Sequence, residues 1–517
     1  MLELSFDFIS KMYNHRNSYA EVFTIEELKA IHISSIFEDV IKDLIKKKKF
    51  ILLTGNPGDG KTHLIRVQND FLIKNDTFIE LDINEVPDHS IFLKDLKTAL
   101  LNNRPAIIAI NEYPLYELLK NMDEDFPYKK EILEAKEHSI IYGDECKDYG
   151  NQKVAVIDLN NRNLLSYNAL ENAFSKLLNN ITTCKICGEI EKCFHNQNLN
   201  ALRHSEIQHR VIKLISLLGN IGNHAVMRDI LGLIAFILTD GKKCTSVTDR
   251  YYDLLFKGNN SLFKEIESLN PSRFSHPIID DQLWNGLIKD GWYLNSPSKI
   301  PNNIEDTDEA MEVFLSIKRK YFFEHKDGIN LLSLYPKQLS DFLDLLRKAN
   351  DDEVEILQKV ILSINRFYNP KENENQKLYI WNNHSYESKK YLETIISNRS
   401  IPFQNMQVLV PKLPLYLKTL DYGPNHFILR VDATLSMDNF VDLKINFELF
   451  KMLMLIAEGY PPQILPKNHK FTIEKFMYKL SAKTNKNQTN EFIVRSVKNN
   501  NSRKIIIKDG KYLLKSR

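Results

Sequence analysis

The sequence predicts an α/β core of parallel strands with a helical lid, then a mainly helical middle region and a C-terminal α+β domain. Four apolar runs of strand length alternate with helical segments in the first third of the chain. Amphipathic helical patterns dominate residues 250–400, and strand-like alternation begins after residue 401. The expected boundaries are 1–49 for a helical lead-in, 50–245 for the core with a Cys-rich insertion near 180–200 and the start of the lid, 246–400 for the helical region and 401–517 for the C-terminal domain.

Composition favours a cytoplasmic globular protein. The 517 residues are 43% hydrophobic and 26% charged, which suits roughly two to four domains. No apolar run reaches the roughly 18 residues of a membrane span, and the first residues lack the basic and apolar segments of a secretory signal. The five cysteines are an odd number and do not resemble a secreted disulfide framework. We therefore expect no membrane partner.

The most specific motif is Phe50-Ile-Leu-Leu-Thr-Gly-Asn-Pro-Gly-Asp-Gly-Lys-Thr62, an apolar strand that continues directly into GxxxxGK[ST]. Glycines in this pattern form a phosphate-binding loop, in which the backbone N–H groups point inward. Lys61 is expected to reach the β- and γ-phosphates of ATP, and Thr62 to hold Mg²⁺. The apolar residues that follow have helical spacing, and a helix N-terminus favours anions. The core is thus predicted to be a P-loop NTPase. The candidate nucleotide-binding residues are Gly55, Asn56, Pro57, Gly58, Asp59, Gly60, Lys61, Thr62, His63 and Asn111.

Acidic and amide residues follow the other predicted strands. The four runs are expected to form a parallel sheet with crossover helices, and they are Phe50–Leu53, Thr77–Leu81, Ala106–Ile110 and Val154–Leu159. The third run ends in Asn111-Glu112, where a Walker B element would present carboxylates to metal and water. Glu112 is the predicted water-activating residue. Because Asn111 replaces the metal-associated carboxylate, Mg²⁺ would depend on Thr62 and water, or Asp82 or Asp158 would supply the missing charge.

The fourth run continues into Asp158-Leu-Asn-Asn-Arg162. AAA+-like ATPases place a sensor of the γ-phosphate at this point, and Asn160 is the predicted sensor, with Asn161 as the next candidate. Arg162 has two interpretations, a phosphate or subunit contact and a surface arginine near the helix that begins at Ser166.

A second sensor is predicted on the lid. Residues 224–238 read as a largely buried helix with Arg228 in its first turns, as in AAA+-like lids whose arginine contacts the γ-phosphate. The alternative is a local ion pair of Arg228 with Asp229 or Asp240. A cation near a helix N-terminus is unfavourable without an anionic partner, which favours the phosphate role.

A cysteine cluster lies in the predicted insertion. Cys184 and Cys187 are three residues apart, and Cys193 and His195 complete a candidate Cys₃His zinc set. The spacing is atypical of a zinc finger. The sequence instead indicates a compact structural zinc knuckle, and the alternative is a cluster of reduced thiols that pack a loop. An iron–sulfur centre is less favoured.

Basic residues are concentrated at the C-terminal end. Residues 467–517 contain fourteen Lys and Arg against three acidic residues, a local net charge of +11. This segment is the predicted site for a polyanion such as DNA, and the alternative is a lysine-rich surface that keeps a sheet edge soluble. Two basic–aromatic clusters, Lys318–Phe323 and Asn365–Tyr368, read mainly as core. We find no nuclease constellation in the sequence.

Taken in order, these features resemble the DptF family of DNA phosphorothioation-dependent restriction proteins, which are bacterial defence ATPases. The resemblance covers most of the chain. It is carried by GNPGDGKTHLI, AINE, VIDLNNRN, the CxxC…C cluster, HAVMRDILGLIAFIL, IKRKYFFE, INRFYNP and VDLKINFELFKMLMLIAEGYPP.

The resemblance implies an ATPase that acts with DptG-like and DptH-like partners in restricting DNA that lacks phosphorothioate modification. It also implies that Asn111-Glu112 is a functional form of the motif. Homo-oligomers are compatible with this expectation, and DNA cleavage would belong to a partner. Two other function classes stay open, namely a different AAA+-like or signalling NTPase that does not act on DNA and an ATP-bound scaffold without turnover.

Overall fold

The computed structural model describes residues 3–13, 19–134, 153–182, 192–242, 249–294, 299–300, 306–328, 337–347, 353–385, 393–410, 424–433, 439–484, 491–496, 501–508 and 510–516. The chain divides into two compact units. Unit 1 comprises residues 1–335 and 413–423, and unit 2 comprises residues 336–412 and 424–517.

Unit 1 contains a small parallel sheet among many helices. Its strands are β1 (Phe50–Thr54), β2 (Phe78–Glu80), β3 (Ala106–Ala109) and β4 (Val154–Asp158). Its helices up to the end of the sheet region are α1 (Phe6–Tyr13), α2 (Tyr19–Val22), α3 (Ile25–Ile31), α4 (Phe37–Lys46), α5 (Lys61–Val67), α6 (Asn69–Lys74), α7 (His89–Leu101) and α8 (Glu112–Asn121). The helices that follow are α9 (Tyr167–Asn180), α10 (Phe194–Arg203), α11 (Ser205–Asn220), α12 (Met227–Thr239), α13 (Tyr251–Leu254), α14 (Ser261–Glu267), α15 (Pro277–Trp284) and α16 (Thr307–Glu324).

The four runs that the sequence predicted as strands are paired in the order β2-β3-β1-β4, and all the pairs are parallel. β1 is therefore central, with Leu53 opposite Ala109 on one side and Thr54 opposite Asp158 on the other. Because the strands are parallel, their carboxyl ends meet at one edge of the sheet. The segments that follow β1, β2, β3 and β4 are brought together at this edge.

Alternate residues of β1 pack on opposite faces of the sheet, as the two-residue period of a strand requires. Ile51 and Leu53 belong to an apolar cluster with α4 and α5, whereas Phe50 and Leu52 belong to a second cluster with α7 and α8. All five residues of β1 are buried. The strand is thus covered on both faces, which holds its carboxyl end in a fixed position.

A third apolar cluster joins the N-terminal helices to the helices that follow the sheet. It includes Ile9 of α1, Phe174 of α9, Ile234 of α12, Tyr251 of α13 and Phe322 of α16. Residues 251–324, which the sequence assigned to a separate helical region, therefore share this core with α1. Among the described residues, no helix combines the length and the apolar character needed to cross a membrane.

Unit 2 contains two antiparallel sheets and several helices. The α-helices among its described residues are α17 (Lys337–Arg347), α18 (Glu353–Tyr368), α19 (Phe447–Ala457) and α20 (Lys467–Lys483). The strands are β5 (Lys377–Ser385), β6 (Glu393–Pro402), β7 (Met406–Leu409), β8 (His426–Asp432), β9 (Phe440–Asn446), β10 (Glu491–Ser496), β11 (Asn501–Lys508) and β12 (Lys511–Ser516). One sheet has the order β12-β11-β10-β6-β5 and the other the order β7-β8-β9.

The start of the β-rich region differs from the sequence expectation. Residues 377–385 and 393–400 lie in the region that was expected to be mainly helical, but they belong to β5 and β6, so the boundary expected at residue 401 falls within β6. β6 pairs with β10, with Ser397 opposite Ile493, nearly a hundred residues further along the chain. A local pattern does not reveal such a distant partner, which explains the difference.

Candidate functional site

The glycine-rich loop leaves β1 at the carboxyl edge of the parallel sheet and leads into α5. Gly55, Gly58 and Gly60 have φ angles of 145°, 100° and 89°, a region that other residues rarely adopt. A Cβ atom on Gly55 would lie 2.6 Å from Asp59 Oδ2. That same Asp59 oxygen accepts a hydrogen bond of 2.5 Å from the backbone N–H of Asn56. The loop thus has a defined conformation that only glycine permits at these positions.

Lys61, the first residue of α5, is buried and bends back over the loop. Its Nζ donates hydrogen bonds of 2.9 Å to the carbonyls of Gly55 and Asn56. Burial lowers the pKa of Lys61, and the charges of Asp59, Asp82 and Asp158 oppose that shift. The ammonium group is therefore held at the loop by neutral carbonyls, with carboxylates around it.

A cleft of about 190 Å³ opens beside this loop. Five parts of the chain meet there, because the loop residues with Lys61 and Thr62 are joined by Glu21 on α2, Asp82 after β2, Asn111 after β3 and Arg228 on α12. Pockets that enclose a whole small ligand typically measure about 300–1,000 Å³. The cleft is smaller than this, so it would enclose only part of such a ligand.

Asp82, which the sequence offered only as an alternative, lies on the cleft wall. The hydroxyl of Thr62 donates a hydrogen bond of 3.2 Å to the carbonyl of Leu81, which places the end of β2 beside the predicted metal ligand. Glu112 instead begins α8, has an exposed side chain and is not among the residues that line the cleft. Asp82 is therefore the described carboxylate that follows a strand and lines the cleft together with Thr62 and Lys61.

Asn111 contributes an amide to the same cleft. Its Oδ1 atom is buried and makes no hydrogen bond with any described residue. A buried polar atom without a partner is costly unless a ligand or water satisfies it. A water molecule or a polar ligand could satisfy this atom.

Arg228 lies near the start of α12 and is among the residues that line the cleft. Its backbone N–H is 3.4 Å from the carbonyl of Gly58, so α12 contacts the glycine-rich loop directly. Neither carboxylate that was weighed as its partner is paired with it, since Asp229 accepts from the backbone of Val226 and Asp240 pairs with Lys242. Within the described ranges, Arg228 makes no ion pair.

The residues after β4 have other roles. Asp158 accepts a hydrogen bond of 3.0 Å from the backbone of Asn160, and Asn160 is not among the residues that line the cleft. Arg162 is buried, with its guanidinium 5.1 Å from the ring centre of Phe37 and 3.4 Å from the carbonyl of Ile33. The structure therefore places Arg162 in the packing between the N-terminal segment and the sheet, and brings neither Asn160 nor Arg162 to the cleft.

The sequence interpretation missed a chain of hydrogen bonds behind the loop. His63, which lines the cleft, lies 3.1 Å from His32 through Nε2 and Nδ1, and the other nitrogen of His32 lies 3.0 Å from Glu38. Gln68 also donates to Glu38 at 3.2 Å. Burial, followed by the charges of His32 and Arg162, lowers the pKa of His63 to about 3. No local motif links His32 and His63, because 31 residues separate them.

His224 was also missed. Its Nε2 lies 3.7 Å from Asp59 Oδ1, and the hydrogen bond and charge of this carboxylate raise the pKa of His224 despite partial burial. His224 precedes α12, so the segment that leads into this helix makes a second contact with the glycine-rich loop.

The two basic–aromatic clusters lie in the interior. Lys318 is buried on α16 and makes an ion pair of 2.6 Å with Asp280. Asn365 on α18 is buried, and its amide donates to the carbonyls of Glu374 and Lys377. These polar side chains hold neighbouring segments together and do not form an exposed nucleic-acid surface.

The candidate zinc ligands are only partly described. Cys184 and Cys187 lie outside the described residues, whereas Cys193 is partly exposed before α10 and His195 is buried on that helix. The His195 ring packs against Phe6 at 5.0 Å between centres, and burial lowers its pKa. Among the residues that the structure describes, no group of three or more His, Cys, Asp or Glu is arranged to hold a metal. The zinc site stays a prediction.

That prediction has a direct measurement. If the four residues bind zinc, metal analysis of the purified protein will find about one equivalent, and the variant Cys184→Ser/Cys187→Ser will lack it. A stable wild-type protein that contains no metal would leave the packed-thiol interpretation.

Comparisons with protein-family models, with curated proteins and with solved structures found no match for this chain.

Proposed function

We propose that unit 1 binds ATP with Mg²⁺ in the cleft and hydrolyses it. The observation that carries this proposal is the arrangement around Lys61. A buried lysine at the start of a helix lies within a left-handed glycine loop, and Thr62, Asp82, Asn111 and Arg228 surround the same small cleft. Each of these side-chain types is suited to phosphate or to its metal ion.

The residues have separate roles in this proposal. Backbone N–H groups of the loop and the start of α5 bind phosphate oxygens, for which a helix N-terminus is favourable. Lys61 exchanges its two carbonyl partners for the β- and γ-phosphates. Arg228 neutralises negative charge on the terminal phosphate. It is available for this role because no described carboxylate forms an ion pair with it.

Metal binding and water activation are assigned to the carboxyl ends of β2 and β3. Mg²⁺, when bound, would neutralise charge on the phosphates, and the residues suited to hold it are Thr62 and Asp82. Asn111 would orient water through its side-chain amide, whose Oδ1 atom has no partner among the described residues. Glu112 remains a candidate for water activation because it directly follows Asn111 in the chain.

We further propose that ATP turnover serves a cytoplasmic DNA-restriction complex with DptG-like and DptH-like partners. Support comes from the resemblance to the DptF family and from the basic C-terminal segment, with its local net charge of +11. The rival functions are an NTPase that does not act on DNA and an ATP-bound scaffold.

One assay separates these functions. ATP hydrolysis by the full chain is measured with and without Mg²⁺ and with and without duplex DNA, and Lys61→Ala serves as the negative control. We expect hydrolysis that requires Mg²⁺ and increases when DNA is added. Turnover that DNA leaves unchanged would favour the NTPase that does not act on DNA, and binding without turnover would favour the scaffold. A chain that binds no nucleotide would contradict the whole proposal.

A further inference from the structure

Helix α20 in unit 2 buries only one of its faces. Its buried residues are Ile473, Phe476, Met477 and Leu480, which follow the helical spacing i, i+3, i+4 and i+7. This face packs against β5 and β9. The helix is 17 residues long, so it presents a free face about 25 Å in length.

The opposite face combines large aromatic side chains with lysines. Phe471 and Tyr478 are 64% and 76% exposed, although burial normally favours rings of this size. At 100° per residue, Lys467 and Lys475 share this face with the two rings, and the exposed Glu474 and Lys479 lie at its two edges. All three lysines are exposed.

The charge of this face is not neutralised within the described structure. Among the described residues, none of the lysines of α20 forms an ion pair, and the nearest polar contacts are those of Lys470 with the Gln463 carbonyl and Lys483 with the Phe440 carbonyl. The helix contains five lysines and a single carboxylate, Glu474. An unpaired positive face of this kind is complementary to a polyanion.

The basic strands are a weaker candidate for the same contact. Arg495 of β10 is turned inward and donates to the Tyr368 carbonyl, and burial lowers its pKa. Arg503 and Lys508 of β11 are exposed, and the neighbouring edge strand β12 exposes Lys511 and Tyr512. These side chains are spread over two strands, whereas α20 places two exposed rings among its lysines on one helix face.

Shape distinguishes among polyanions. A straight helix is convex, whereas proteins usually bind single strands in concave grooves lined with aromatic platforms. The major groove of B-form DNA is about 12 Å wide and admits an α-helix, but the major groove of duplex RNA is too narrow for side chains to read. An aromatic ring on such a helix contacts thymine methyl groups, and lysines on the flanks reach phosphates.

We propose that the exposed face of α20, formed by Lys467, Phe471, Lys475, Tyr478 and Lys479, docks in the major groove of duplex DNA. This inference rests on the proposal that the protein acts on DNA, because α20 would supply the surface that contacts the DNA. It does not depend on the nucleotide cleft, so ATP turnover without DNA provides a separate measurement.

The test compares two triple variants of the full chain that lower the charge equally. Lys467→Gln/Lys475→Gln/Lys479→Gln removes lysines of the proposed surface. The control variant removes three exposed lysines of unit 1, which are Lys94, Lys120 and Lys264. Binding to a labelled duplex is measured at several salt concentrations. The slope of log affinity against log salt should become less negative by about 2.7 in the first variant, at about 0.9 for each phosphate contact. The control should keep the slope of the wild type.

A second variant tests the aromatic residues. Because both rings are exposed, Phe471→Ala/Tyr478→Ala should fold normally and weaken duplex binding by about tenfold. Single-stranded DNA and duplex RNA of the same sequence should compete poorly. Equal slopes for the lysine variant and its control, or preferential binding of single strands, would overturn the proposal. Unchanged DNA binding in all variants would assign the surface to an acidic protein. Basal ATP turnover should stay unchanged in every case, and its loss in a folded variant would contradict the separation of the two sites.

Discussion

Replacing Lys61 with alanine is expected to lower ATP turnover by about 10²-fold or more and to weaken nucleotide binding. The reason is the position of the Lys61 ammonium group, which lies within the glycine-rich loop and donates hydrogen bonds to two of the loop's carbonyls. Turnover is measured as phosphate release, and binding by titration with a fluorescent ATP analogue. Lys74 on the neighbouring helix α6 is exposed, so Lys74→Ala is the matched control and should leave both quantities unchanged.

The same substitution also affects stability, because Lys61 is buried and makes two hydrogen bonds. Their loss should cost about 1–2 kcal/mol in the free energy of unfolding, which a domain of ordinary stability tolerates. Lys61→Met retains the apolar stem and separates this cost from the loss of charge. A folded Lys61→Ala protein with normal binding and turnover would remove the basis for placing ATP in the cleft.

Substitution of Asp82 is expected to have the second large effect. Asp82→Asn removes the carboxylate that lines the cleft beside Thr62, and should lower turnover by about 10²-fold. If Asp82 holds the metal ion, the Mg²⁺ concentration needed for half-maximal activity should rise in this variant. Phosphate release at a series of Mg²⁺ concentrations measures both quantities.

Glu112→Gln is the paired variant, because the sequence predicted that Glu112 activates the attacking water. If Glu112 has that role, the Glu112→Gln variant should bind ATP, retain it without hydrolysis and show an unchanged Mg²⁺ requirement. The exposed position of Glu112 outside the cleft lining leads us to expect a smaller loss than for Asp82→Asn. Normal turnover in Asp82→Asn with a trapped nucleotide in Glu112→Gln would return the main catalytic role to Glu112.

Local features of the fold could be predicted from the sequence. The glycines and the GK[ST] spacing indicated the loop, and short apolar runs indicated β1 to β4, because backbone conformation and burial depend on near neighbours along the chain. The order of the strands could not be predicted in this way. It depends on long-range pairing, and that pairing places Asp82 on the cleft wall and Asn160 outside its lining.

Residues far apart in sequence account for most of the other differences. Arg162 was weighed as a phosphate contact or a surface cation, but the N-terminal segment covers it and supplies Phe37 and the Ile33 carbonyl. β5 and β6 were assigned to a helical region because their partner β10 lies much later in the chain. Arg228 was correctly placed near the start of a buried helix, since apolar periodicity and the break before it are local signals.

The buried contact between His63 and His32 makes the stability of unit 1 depend on protons. A hydrogen bond between two imidazole rings needs one nitrogen as acceptor, so both rings cannot be fully protonated while the contact persists. In the unfolded chain His63 takes up a proton near its ordinary pKa of 6.5, whereas in the folded chain it does so only near pH 3. Between these values the unfolded state holds more protons, and its free energy falls relative to the folded state as the solution becomes more acidic. The free energy of unfolding of the region around the first turn of α5, after the glycine-rich loop, should therefore be greatest above about pH 6.5 and should fall as the pH drops toward 3.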